Sequence, residues 1–146
     1  MELSNRRARP RLANAELEEL GERILAAVGE HASTVSLVST DDAAIQELNR
    51  DYRGKDSVTD VLSFSQVEGD PFAFVEERVL GDVVISMDTA ARQAESIGHS
   101  LRDEVTRLLI HGVLHLLGHD HIHGGRQAAR MRAEEARVLR AVRRNP

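Results

Sequence analysis

Apolar residues recur every three or four positions in five segments of the chain, as they do along one face of an amphipathic helix. Four of these segments begin at capping residues, namely Asn14, Asp41 or Asp42, Asp88 and Ser100. In the second segment, Ile45, Leu48 and Tyr52 are predicted to face inward. The pattern predicts helices over 15–28, from Asp41 or Asp42 to about Arg53, from Asp88 to Ile97, over 101–117 and over about 125–143.

Three shorter segments have the composition of strands. Residues 34–40, TVSLVST, alternate and are β-branched, and residues 60–65 and 79–87 form short apolar runs. Residues 1–12 are basic and aperiodic, which is typical of a loose arm or of a first edge strand. Residues 66–79 contain glycine and proline without a clean period, so we expect a surface loop there, with a short hairpin as an option.

The helix predicted over 101–117 is apolar on most of its faces, and such a helix belongs in the middle of a fold. Helices and strands alternate early in the chain, and helices dominate its end. We therefore expect an α+β fold, in which a small mixed sheet of about four strands is covered by about five helices. The 146 residues are enough for a single domain over 1–146.

Composition narrows the class of protein. The absence of cysteine excludes disulfides and thiolate ligands. No segment is apolar enough for a signal peptide or a membrane span, so we expect a cytoplasmic protein without a membrane partner. The net charge of −5 argues mildly against non-specific nucleic-acid binding. The arginines at both ends of the chain are open to two interpretations, solvated helix faces or phosphate contacts.

Candidate chemistry lies in the stretch HGVLHLLGHDH, from His111 to His121. Residues four apart on a helix share a face, so the imidazoles of His111 and His115 can point at one ion. Gly118 permits a sharp turn that returns His121 towards them. Three nitrogen ligands leave an open position on a tetrahedral ion, as in catalytic zinc sites. The sequence therefore predicts one Zn²⁺, with other divalent transition metals as alternatives.

The residues beside these histidines leave alternatives open. His119 is a ligand, a group behind the ligands or a surface residue, and Asp120 is positioned to orient a ligand imidazole. The spacing also matches the metzincin peptidases, H-E-x-x-H-x-x-G-x-x-H, but Gly112 occupies the position of their catalytic glutamate. A metallopeptidase-like hydrolase is therefore an alternative that lacks its general base.

The histidine stretch resembles the H-G-x-L-H-L-x-G-Y-D-H motif of the YbeY family of bacterial endoribonucleases and rRNA maturation factors. The stretch NRDYRGKDSVTDVLSFS, Asn49 to Ser65, resembles a second motif of that family, and LGDVVIS, Leu80 to Ser86, resembles a third. The departures are His119 in place of tyrosine, and Val58 and Ser65 in place of proline.

The resemblance implies a metal-dependent, single-strand-specific endoribonuclease that acts on precursor rRNA at the small-subunit 3′ end and in ribosome quality control. The family's metal ligands fall on His111, His115 and His121, and its functional arginine falls on Arg53. The fork of Arg53 also suits a phosphate, although a salt bridge at a helix end is the alternative. A ribosome assembly factor that only uses metal for stability is the other alternative.

Three further residues are candidates for supporting roles. Lys55 is a candidate for phosphate binding. Asp60 is a candidate for holding its loop against the metal site, with a turn cap as the alternative. Asp82 is a candidate carboxylate behind the ligands, with capping of a strand start as the alternative. The sequence identifies no general base.

Overall fold

Four strands form one mixed sheet in the order β1-β2-β4-β3. The computed structural model describes residues 2–5, 12–30, 33–66, 79–118 and 125–144. The elements are β1 (Glu2–Asn5), α1 (Asn14–Ala27), β2 (Thr34–Thr40), α2 (Asp42–Arg53), β3 (Val61–Ser65), β4 (Val79–Ser86), α3 (Met87–Ile97), α4 (Leu101–Leu116) and α5 (Gly125–Arg144). The expected α+β class, with helices covering a small mixed sheet, is confirmed.

The sheet combines parallel and antiparallel pairings. β1, β2 and β4 are parallel, whereas β3 lies antiparallel to β4 at the edge of the sheet, with Ser63 opposite Val83. Successive side chains of a strand point to opposite faces. Val61, Ser63 and Ser65 therefore lie on one face of β3, and Leu62 and Phe64 lie on the other.

The two faces of the sheet are covered unequally. On one face, the main core joins the apolar residues of β2 and β4 to those of α1, α4 and α5. On the other face, α2 packs through Ile45 against Leu62 and Val84, with Val38, Leu48 and Phe64 partly buried around them. α4 is covered on most sides, and ten of its residues are buried. The prediction of a central apolar helix is confirmed.

Two of the expected helix caps are correct and two are wrong. Asp41 accepts a hydrogen bond from the amide of Ala44, and Ser100 accepts one from the amide of Asp103. Asn14 is the first residue of α1 rather than its cap. Asp88 lies inside α3, whose cap is Ser86, because β4 runs into this helix without a loop. The Asp88 carboxylate instead accepts from the backbone amide of Asp42.

The structure also corrects the orientation expected for Tyr52. Ile45 is buried and Leu48 is half-buried, but 71% of Tyr52 is exposed at the last turn of α2. The hairpin option for 66–79 falls on residues 67–78, which lie outside the described residues. No helix within the described ranges is both long and apolar enough to cross a membrane.

Candidate active site

α4 brings two of the predicted metal ligands together. The Nε2 atoms of His111 and His115 are 3.1 Å apart, and the ring centroids are 4.6 Å apart. Two nitrogens bound to one tetrahedral ion at about 2.0–2.1 Å would be separated by about 3.3 Å. The observed pair is therefore close to the spacing that a shared ion requires.

The third predicted ligand, His121, lies outside the described residues, as do His119, Asp120 and His123. Within the described ranges, no group of three acidic or histidine side chains could hold a metal ion by itself. A pair of imidazoles from α4 thus fits a metal site that needs at least one more ligand from elsewhere.

A carboxylate from α5 contacts the first of these histidines. Oε1 of Glu135 lies 3.0 Å from Nδ1 of His111. The hydrogen bond from His111 outweighs the effect of burial, and it holds the pKa of the Glu135 carboxyl below its ordinary value. His111 therefore contacts a carboxylate through one ring nitrogen and His115 through the other.

Gly112 lies where α4 packs against the sheet. A Cβ atom at this position would lie 2.6 Å from Cγ1 of Val83 and 3.2 Å from Oγ of Ser63. The Ser63 hydroxyl also donates to the carbonyl of Gly112, at 3.1 Å. The position that carries glutamate in a metzincin therefore faces β3 and β4, and there is no room there for a longer side chain.

The two histidines line a cavity of about 400 Å³ whose other lining residues come from the end of α2, the loop after it and β3. Arg53 and Lys55 are among these residues, so the structure places two cations at the same cavity as the two imidazoles. Asp60 and Ser63 line it as well. Fixed positive charge that lines a cavity favours an anionic ligand such as a phosphodiester.

Arg53 is held at the cavity by β3, on the far side of the loop that follows α2. One of its Nη2 hydrogens is donated to the carbonyl of Ser63, at 3.0 Å. The loop is shaped by Asn49, a buried residue of α2 whose side-chain amide donates to the carbonyl of Ser57 at 3.0 Å. Gly54 ends α2 in the left-handed conformation, at φ 69°.

Asp60 fixes its own turn and also faces the cavity. Its Oδ1 accepts from the amide of Val61 at 2.8 Å, and its Oδ2 accepts from the side chain of Gln93 at 3.3 Å. The guanidinium of Arg107 is 4.0 Å from Oδ2. Asp82, the candidate carboxylate behind the ligands, accepts a hydrogen bond from the side chain of Gln66 at 3.5 Å.

Sequence reasoning assigned no role to Asn49 or to Glu135. Asn49 follows Ile45 by four positions and is buried, so a polar residue on the inward stripe of α2 was a detectable signal. Glu135 follows the buried Met131 by four positions and precedes the buried Val138 by three. A charged residue on a buried stripe requires a partner, and that signal was present in the sequence.

Comparison with known proteins identifies the family of this chain. The family model described as Endoribonuclease YbeY matches residues 2–143. The chain belongs to the YbeY family. A protein of Aquifex aeolicus named Endoribonuclease YbeY is 49% identical over 123 residues, which are 84% of this chain and 79% of the relative. A Geobacter sulfurreducens protein of the same name is 44% identical over 138 residues, 94% of this chain and 91% of the relative.

The fold is also found among solved structures. The solution structure of a Thermotoga maritima protein superposes with a TM-score of 0.64 at 25% sequence identity. The similarity covers 99% of this chain and 93% of that protein. The resemblance to the YbeY family inferred from the three motifs is therefore confirmed.

Proposed function

We propose that this chain is a single-domain, metal-dependent endoribonuclease that cleaves single-stranded RNA and acts in the cytoplasm on precursor rRNA. In this proposal His111, His115 and His121 bind one divalent ion, for which Zn²⁺ is the first candidate. Arg53 binds the phosphate next to the bond that is cleaved. The small subunit of the ribosome is the expected partner, and the 3′ end of its rRNA is the expected site of action.

One observation carries the proposal. The Nε2 atoms of His111 and His115 converge at 3.1 Å on a cavity that Arg53 and Lys55 also line. Family membership supports RNA as the substrate, because the relatives are named as endoribonucleases. A fold in which metal served only for stability would not need two cations at the same cavity.

Two basic side chains at the cavity can bind an RNA phosphate. The guanidinium of Arg53 has further N–H groups beyond the one donated to Ser63, and these can bind phosphate oxygens. Lys55 adds a second positive charge at the cavity. The metal ion, when bound, supplies a Lewis acid that stabilises the charge that develops on the phosphate.

The geometry at Gly112 argues against the metallopeptidase alternative. A peptidase of the metzincin type needs a glutamate after its first histidine as general base. Here that position packs against Val83, at a distance that leaves no space even for a Cβ atom. Phosphodiester cleavage relies more on charge neutralisation and positioning, which Arg53 and Lys55 can provide.

The proposal is tested by cleavage of labelled RNA of one sequence, presented single-stranded and as a duplex. We expect wild-type protein to cleave only the single strand, to lose activity with a chelator and to regain it with Zn²⁺. We expect His111→Ala and Arg53→Glu each to lower the rate at least about tenfold, since the first removes a ligand of the ion and the second removes the group that binds the phosphate.

Arg50→Glu is the matched control for Arg53→Glu. Arg50 lies three residues earlier on α2, is exposed and is paired with Asp51. The rate of RNA cleavage by Arg50→Glu should stay within about twofold of wild type, since Arg50 does not line the cavity. Cleavage that survives both His111→Ala and Arg53→Glu would overturn the proposal and indicate a contaminating nuclease. Cleavage of casein would favour the peptidase alternative instead.

The ribosomal part of the proposal has its own test. Purified small subunits that carry unprocessed rRNA should gain mature 3′ ends with wild-type protein and not with Arg53→Glu. Cleavage of free RNA without any change in these subunits would separate the nuclease activity from the proposed role in rRNA maturation.

A further inference from the structure

α5 presents one carboxylate on a face that is otherwise apolar. Its buried residues are Ala128, Met131, Val138 and Val142. Glu135 lies on the same stripe, and only 26% of its side chain is exposed. Placing a carboxylate among apolar residues is costly unless a hydrogen-bond donor meets it. The position of Glu135 therefore requires a specific partner.

The partner that the structure shows is His111. Glu135 Oε1 is 3.0 Å from His111 Nδ1, and an ionised carboxylate can only accept hydrogen bonds. The proton of a neutral His111 ring is therefore placed on Nδ1, which leaves the lone pair on Nε2. Nε2 is the atom that approaches His115 at 3.1 Å.

Glu135 is hydrogen-bonded to His111 and not to the nearby guanidinium of Arg107. Arg107 lies one turn before His111 on α4, but its guanidinium is engaged by Glu104 through Nε at 2.9 Å and through Nη2 at 2.8 Å. The cation next to Glu135 thus has its own carboxylate, and Glu135 contacts the imidazole.

We propose that Glu135 is a positioning residue of the metal centre, which orients His111 and keeps its Nε2 unprotonated for the ion. This inference deepens the proposed function and rests on its metal site. A carboxylate behind a metal-bound histidine fixes the tautomer of the ring and strengthens it as a ligand, and loss of such a group weakens metal binding about 10- to 100-fold.

Metal affinity, measured without RNA, tests the inference. The full-length chain is stripped of metal, and Zn²⁺ binding is followed by competition with a chromophoric chelator for wild type, Glu135→Leu and Glu135→Gln. We expect Glu135→Leu to bind Zn²⁺ about 10- to 100-fold more weakly. Glu135→Gln, whose amide oxygen still accepts a hydrogen bond from Nδ1, should lose clearly less.

Histidine ¹⁵N–¹H correlation spectra of the metal-free proteins supply a second measurement. At one fixed, mildly alkaline pH, His111 of wild type should carry its proton on Nδ1, and Glu135→Leu should show a shift towards the other tautomer. A residue with a purely structural role would not move this signal. Glu16→Gln is the control, because Glu16 is also a partly exposed carboxylate in an ion pair, with Arg102. Its Zn²⁺ affinity should equal that of wild type.

The outcomes separate this inference from the proposed function. If wild type binds Zn²⁺ tightly and both Glu135 variants bind it equally well with their melting temperatures kept, the role of Glu135 is refuted and the metal site stands. Equal losses in Glu135→Gln and Glu135→Leu would also refute it, because they would indicate direct ligation by the carboxylate. Wild type that binds no Zn²⁺ would overturn the inference and the zinc site together.

Discussion

At position 112 the absence of a side chain allows α4 to approach the sheet. Alanine is the better helix former there by about 1 kcal/mol, so helix propensity alone predicts that Gly112→Ala stabilises the protein. The added Cβ would lie 2.6 Å from Val83, in the middle of β4, and overpacking of this kind costs about 1–3 kcal/mol. The same Cβ would lie 3.2 Å from Oγ of Ser63, so the substitution would also push α4 away from this residue of the cavity wall.

We therefore expect Gly112→Ala to lower the free energy of unfolding by up to about 2 kcal/mol, because the clash outweighs the gain in propensity. Urea denaturation, compared at the transition midpoint with wild type, measures the effect. An unchanged or higher midpoint would show that Val83 can shift to accommodate the added Cβ at little cost. Packing would then not explain the glycine at this position.

The role of Arg53 depends on the shape of its guanidinium as well as on its charge. Arg53→Lys keeps the charge but has no planar fork, so it cannot donate both to Ser63 and to two phosphate oxygens. We expect the rate of RNA cleavage to fall about tenfold while the melting temperature stays within a degree or so, because Arg53 is exposed. Full activity of Arg53→Lys would mean that the site needs only a positive charge there.

Individual contacts of the site differ in how far the sequence could predict them. The approach of His111 to His115 follows from their separation of four residues on one helix. The contact of His111 with Glu135 joins residues 24 positions apart on two helices. Its existence depends on how α5 packs against α4, which spacing along the chain does not encode.

Among the elements, α3 and α4 are joined by a buried charge. The side chain of Glu104, in the first turn of α4, is fully buried. It accepts from Gln93 of α3 at 2.6 Å, lies 3.1 Å from His99 Nε2, and is bound by Arg107. Burial raises the pKa of Glu104, but the hydrogen bonds and the charge of Arg107 outweigh it, so the net pKa lies below the ordinary value of 4.5.

A carboxyl whose pKa is lowered by folding stabilises the folded state above its ordinary pKa, and that contribution is lost as the pH falls through the folded value. We expect Glu104→Gln to lower the unfolding free energy by about 2–3 kcal/mol at neutral pH. The difference from wild type should shrink as the pH falls below 4.5.

Chemical denaturation at a series of pH values measures this difference. Glu16→Gln, which breaks a partly exposed pair with Arg102, is the control and should cost less than about 1 kcal/mol. A difference between Glu104→Gln and wild type that stays constant from neutral to acidic pH would contradict the assignment of this stability to an ionised Glu104.

The sequence predicted these elements best where local signals agree. α2 and α4 have an acceptor side chain at the N-terminus, and glycine follows both, so their bounds are close to the prediction. α3 starts earlier than expected because Ser86, the last residue of β4, is also the helix cap. A residue that belongs to two elements at once has no signature of its own in the hydrophobic pattern.

At the scale of the whole molecule, the sheet order was not predictable from the strands. β2 pairs with β4 rather than with β3, which follows it more closely in the chain, and β3 takes the edge in the opposite direction. The alternation within β3 gives no preference for either partner. Contacts with α4 favour this position of β3, because carbonyls of α4 accept hydrogen bonds from Ser63 and Ser65.

The charge of the molecule is distributed in a way that the net value of −5 conceals. α5 contains seven arginines and two acidic residues, and it borders the site because Glu135 contacts His111. Arg126, Arg130 and Arg140 are exposed, and no carboxylate in the described part of the chain is paired with them. Arg50, Arg92 and Arg102 are each paired with an acidic residue.

We therefore expect α5 to supply much of the affinity for RNA phosphates. Replacing Arg126, Arg130 and Arg140 together by glutamine should weaken binding of a single-stranded RNA about tenfold at low salt. The slope of log affinity against log salt should fall by about 2, since each lost phosphate contact with a single strand accounts for about 0.7. Binding is measured on metal-free protein with a chelator present, so that the RNA stays intact.

The charge-matched control replaces Arg50, Arg92 and Arg102 by glutamine. This control removes the same net charge from arginines that already have carboxylate partners, so it should change the affinity and the salt slope much less. Equal effects of the two triple variants would show that RNA responds only to net charge. In that case α5 would have no special place in binding, and the affinity would have to come from Arg53, Lys55 and a ribosomal partner.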